Sequence, residues 1–216
     1  MDQHTMELAN NRPDLLQKWR LLGLISAVLV LIALAILGLD PSVDGVRRVI
    51  RATARTSLLL FCLAFIASTA WKRFPNAWTR WQRQNRRYLG LGFAVSHGIH
   101  AAAIIAFAVL DPERFHTASG IGNIISGGIA YLFIVLMSLT SFDRTAAWVG
   151  PRAWKVLHTS GIYYVWISFM ITFGKRIPMS PLYILPLILL LAVLALRLWP
   201  AGKPQVASIK PAIYLS

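Results

Sequence analysis

The chain has 216 residues, of which 56% are hydrophobic and only 14% charged, with 22 Lys and Arg against 8 Asp and Glu. Its mean hydropathy is +0.59, whereas soluble domains carry about 25% charged residues, so a water-soluble domain is excluded. The formal charge of +14 would point to nucleic acid in a soluble protein. Here the basic residues fall between apolar blocks and form no single face or arm, and cytoplasmic loops of membrane proteins accumulate Lys and Arg for topology alone. No nucleic-acid partner is expected. The single cysteine, Cys62, leaves no internal disulfide, Fe–S cluster or CxxC redox pair.

Six apolar blocks follow in chain order: Leu21–Leu39, Thr56–Trp71, Tyr88–Leu110, Ile124–Thr140, Val156–Phe173 and Pro181–Leu196. Each is close to the roughly 20 residues that a helix needs to cross the hydrocarbon core. The pattern predicts an all-α polytopic membrane protein, a six-transmembrane-helix bundle over 21–199 with polar tails at 1–20 and 200–216. The first block is expected to stay as a helix, because it is too long for the apolar region of a signal peptide and no small-residue cleavage site follows it. Between the first two blocks, Arg47, Arg48, Arg51 and Arg55 alternate with Val46, Val49, Ile50 and Ala54. That spacing predicts a short amphipathic helix lying on the interface or leading into the second span. With the N-terminus inside, the inner segments hold 15 Lys and Arg and the outer loops 7, so both tails are expected in the cytoplasm.

Ionisable side chains are almost absent from the spans, which draws attention to His97 and His100 in the third block and His158 in the fifth. A buried imidazole in hydrocarbon faces the bundle interior and finds a partner. For any one histidine, a backbone carbonyl or hydroxyl partner is the plain alternative to a functional role. Three imidazoles on two helices, without carboxylates, supply a proton relay or a carboxylate metal cage poorly and suit haem iron held from both faces. His97 and His100 lie three apart on similar faces and cannot clamp one iron from opposite sides. Small residues flank them, Gly92, Ser96, Gly98 and Ala101–Ala103, and Ser160–Gly161 follow His158. Such residues leave room for a flat ligand or for close helix packing. Arg86 and Arg87 at one interface and Arg55 at the other are candidates for haem propionates.

At these positions the chain resembles a known family. The run Arg86-Arg87-Tyr88-Leu89-Gly90-Leu91, followed after eight residues by His100, resembles the third-helix signature of the ferric-reductase-like transmembrane superfamily. The likeness is greatest to its MsrQ/YedZ-type branch, the haem-binding membrane subunit of the periplasmic methionine-sulfoxide reductase system. Arg55-Thr56-Ser57-Leu58, Leu139-Thr140-Ser141 and Trp154-Lys155-Val156-Leu157-His158 agree with it in order and spacing, so that the resemblance runs from about Arg55 to Phe173. It implies b-type haem with axial ligands His100 and His158. Family members carry a further histidine along the fifth helix; here that stretch reads Phe169, Met170, Ile171 and Thr172, which favours one haem over two.

The expected role is an electron-transfer subunit of a bacterial inner membrane, more a relay than a self-contained enzyme. It would pass electrons from a cytoplasmic donor or quinol to a periplasmic or membrane acceptor. Its partners would be the lipid bilayer and a separate redox protein, a cytosolic flavin reductase or a periplasmic oxidoreductase; quinone or FMN stays open as a further cofactor. The competing reading is a small non-haem transporter or assembly factor on a related bundle.

Overall fold

The computed structural model describes residues 16–199, so the tails assigned to 1–20 and 200–216 lie outside the described residues except for 16–20. Nine α-helices are present among these residues: α1 Lys18–Leu39, α2 Val43–Arg73, α3 Ala77–Gln84, α4 Arg86–Leu110, α5 Pro112–Ala118, α6 Ile121–Leu139, α7 Asp143–Val149, α8 Pro151–Gly174 and α9 Ile184–Leu198. Six of the helical segments are long and apolar enough to cross a membrane. The chain is thus an all-α, multi-pass membrane protein, with the six spans where the apolar blocks predict them.

Two elements go beyond the sequence reading. The arginine-rich stretch before the second block is continuous with the span, giving one 31-residue helix, α2, capped by the Ser42 side chain. The helix begins beside the Asp40 carbonyl, where a Cβ on Gly45 would lie 1.8 Å from that oxygen; only glycine lets the chain enter the helix there. The loop between the second and third spans contains α3, nucleated by a reciprocal capping box between Asn76 and Thr79. Buried Gln82 anchors α3 beneath the bundle by donating Nε2–H to the Leu63 carbonyl at 2.8 Å.

The spans form a ring in which α2 packs on α4, α4 on α6, α6 on α8, α8 on α9 and α9 back on α2, with α1 outside against α2 and α4. Phe61, Phe65, Phe93, Val165, Phe169, Phe173 and Leu190 fill much of its interior. The outward faces carry large apolar side chains, for example Leu31, Ile105, Ile125, Leu132 and Leu185, which is the solvation expected against lipid.

The α2–α4 seam is made of small polar groups. Ser57 Oγ donates to Ser96 Oγ at 2.8 Å, Thr56 Oγ1 lies 2.9 Å from the same oxygen, and Ser96 Oγ also reaches the Thr53 carbonyl at 3.2 Å. Ser57 and Ser96 are fully buried. Small residues permit close helix approach in lipid, and their hydroxyls bond across the contact. Replacing Ser96 by Val overpacks this seam and removes its bonds. The expected cost is about 1–3 kcal/mol, seen as a lower melting temperature in detergent, with Ser96→Ala the milder variant.

Candidate functional site

At the end of the bundle that carries Arg86 and Arg87, the ring opens into a cavity of about 290 Å³, near the lower end of the roughly 300–1,000 Å³ typical of small-molecule sites. Phe61 and Phe65 of α2, Gly90 and Phe93 of α4, Ile134 and Met137 of α6, and Ile162 of α8 make its walls apolar. The polar lining includes Arg86, Arg87, Ser138, Thr140, Ser141 and His158.

Local sequence explains why His158 is held so firmly. Pro151 opens α8 after Gly150, whose φ of +82° suits glycine. That start puts Trp154 and His158 one turn apart on the same face. The Trp154 ring stacks on the His158 ring at 4.1 Å and donates its own Nε1–H to the Thr140 carbonyl at 2.9 Å. Thr140 Oγ1 lies 3.0 Å from His158 Nε2. One turn on, a Cβ at Gly161 would sit 2.7 Å from Met137 Sδ, so glycine there lets α6 close against α8 beside the cavity.

The two arginines differ in their partners. Arg87 forms an exposed bidentate pair with Asp143, and its hydrogen bonds hold that carboxyl below the usual carboxylate range. Arg86 is half-buried and donates Nη1–H to Ser68 Oγ at 3.3 Å. Arg55 stands elsewhere, against Tyr183 together with Arg176.

His100 is also elsewhere. Its Nδ1 lies 2.9 Å from Thr53 Oγ1, facing α2 and not the cavity. The register of α4 against α8 is fixed by Phe169, whose ring touches those of Phe93 at 6.3 Å and His97 at 5.8 Å. Phe169 follows His158 by about 16 Å along α8, at about 1.5 Å per residue, and His100 is a turn beyond His97. The α4 histidines are therefore more than about 10 Å deeper in the bundle than His158. Of the five residues singled out from the sequence, the structure gathers His158, Arg86 and Arg87 at one cavity, and it does not bring His100 or Arg55 there.

His97 Nδ1 and the Tyr131 hydroxyl are buried without a hydrogen-bond partner among the described residues, with their rings 5.7 Å apart. Tyr131 carries no motif in the sequence, and only the pairing of α4 with α6 brings it to His97. An unpaired buried hydroxyl contributes no stability, so Tyr131→Phe should leave the melting temperature unchanged or raise the stability by up to about 1 kcal/mol. A clear drop would show that the hydroxyl is bonded.

A scan against protein-family models finds no match, and searches of curated proteins and of solved structures likewise return none. The ferric-reductase-like resemblance stands on the quoted motifs alone.

The donor set can be tested against haem from these positions. An apolar cavity with one imidazole in its wall and basic groups in its lining supplies the donor chemistry that a haem would need, one ring nitrogen for iron and cations for its carboxylates. One iron shared by His158 and His100 does not fit, because the two rings are at different depths and face different helices.

Proposed function

We propose that this chain is a haem-binding electron-transfer subunit of a bacterial cytoplasmic membrane, with the cofactor in the cavity bounded by α2, α4, α6 and α8 and His158 as its protein ligand. The observation that carries the reading is the His158 imidazole, fixed between Trp154 and Thr140 in the wall of a membrane-embedded apolar cavity with arginine at its mouth. Haem bound there would supply a one-electron carrier whose potential is tuned by its axial ligand and surroundings.

The chain's own residues have definable tasks. Trp154 and Thr140 orient the imidazole of His158, which would hold haem iron through a ring nitrogen. Phe61, Phe65 and Phe93 exclude water. Arg86 favours a carboxylate at the mouth, Arg87 being paired with Asp143, and the basic segment Lys72–Arg87, which has no acid, favours an acidic redox partner or anionic headgroups. With six spans and the excess of basic residues on that side, both tails lie in the cytoplasm, and electrons enter from that face or from quinol.

Haem content of histidine variants tests the site. His158→Ala should lose the b-type absorption, whereas His100→Ala and His97→Ala should keep it, the former with reduced stability from the lost Thr53 contact. Loss of haem in both His100→Ala and His158→Ala would favour the ligand pair implied by the resemblance. A colourless wild-type protein in haem-replete cells would favour a non-haem transporter or assembly factor. Topology is checked by reporter fusions at each terminus, both expected to be active only in the cytoplasm; periplasmic activity at either one contradicts the six-span orientation.

A further inference from the structure

The last helix brings a further guanidinium against one wall of the cavity. Arg197, near the end of α9, donates to the Phe65 carbonyl, lies over the Phe65 ring at 4.4 Å and reaches the Tyr163 ring at 5.7 Å. Phe65 is itself a cavity wall. Arg86, in the cavity lining, bonds Ser68, one turn along α2 from the Phe65 carbonyl that Arg197 bonds, so the two like charges stand near each other. Both are half-buried, both hydrogen-bond only neutral oxygens, and among the described residues neither forms an ion pair, in contrast to Arg87 with Asp143.

Two uncompensated guanidiniums side by side in an apolar surround are costly. The Coulomb repulsion is greatest where water is scarce, and a cation in a span ordinarily faces an anion or a water-filled cavity. Lys would reach water more freely, whereas Arg presents a planar fork matched to carboxylate and phosphate. Arg86 and Arg197 come from helices remote in sequence, so their convergence is a product of the ring and not of a local topology signal.

We propose that Arg86 and Arg197 form an anion seat that grips the carboxylate or phosphate head of an amphiphile whose apolar body occupies the cavity. If the haem reading holds, the head is a propionate and Arg197 is a residue that selects for it. The seat itself does not depend on iron. An anionic phospholipid is the other source of the same chemistry.

Binding of iron-free protoporphyrin IX and of its dimethyl ester, followed by fluorescence in detergent, separates the two ideas. The wild-type chain should prefer the free acid by about tenfold or more. The double variant Arg86→Gln/Arg197→Gln should lose that preference, Arg86→Lys/Arg197→Lys should keep part of it, and Arg114→Gln, which lowers net charge at the other end of α4, should keep it all. Helical content and melting temperature establish that each variant is folded. His158→Ala should still prefer the free acid while losing haem absorption; if it keeps haem, the haem ligand is wrong and the seat stands. If neither porphyrin binds, retention of phosphatidylglycerol over phosphatidylcholine that is lost in the Gln double variant supports the seat with a lipid occupant. Equal binding of acid and ester, an unchanged preference in the folded Gln double variant, or no preference for any anionic amphiphile overturns the proposal.

Discussion

The rest of the bundle depends on the contact between α2 and α4. Lipid tails are as apolar as the side chains that face them, so helices in a bilayer gain little from burying Leu against Leu and associate through close packing and hydrogen bonds instead. Ser57, Ser96 and Thr56 supply both, and Thr53 extends the seam to His100. Once this pair is fixed, α1 has a groove to fill on one side, and α6, α8 and α9 must complete a ring on the other. The ring does not close tightly at the end carrying Arg86, and the cavity is the result.

That geometry gives the histidines different employment. His100 belongs to the seam, where a hydroxyl of the facing helix satisfies one ring nitrogen. His158 belongs to the cavity, where Trp154 and Thr140 hold it from two sides. Three residues of the same type, all in hydrocarbon, thus serve as a packing bond, an unpaired group and a cavity donor, according to which helix each faces. The electrostatics divide in the same way: Arg87 is neutralised at the surface by Asp143, whereas Arg86 and Arg197 bond only neutral oxygens one turn apart on α2.

Much of this was legible in the residues. Hydropathy located six spans because no other feature of the chain competes with runs of Leu, Ile, Val and Ala. The scarcity of ionisable groups made His97, His100 and His158 conspicuous. Other features were hidden for physical reasons. The arginines of Arg47–Arg55 lower the local hydropathy, so that the residues leave open whether this stretch lies on the interface or leads into the second span; the unbroken helix shows the latter. The helix α3 is too short and polar to show a periodicity, and its only signal is the Asn76–Thr79 capping box. Arg197 looks like a topology residue, and Tyr131 like a wall residue, until helices distant in sequence are set side by side. Depth is the least legible quantity: motif spacing along α4 and α8 fixes each histidine on its own helix, but only the Phe93–Phe169–His97 contact sets one helix against the other.

The central claim is this register, which separates His158 from the α4 histidines. Cross-linking in membranes with a short-spacer bifunctional thiosulfonate, in a Cys62→Ser background, measures it directly. The account predicts efficient cross-linking between His97→Cys and Phe169→Cys, whose parent rings are 5.8 Å apart, and none between His100→Cys and His158→Cys. Efficient cross-linking of the second pair, with none in the first, would contradict it and return both histidines to a single ligand position.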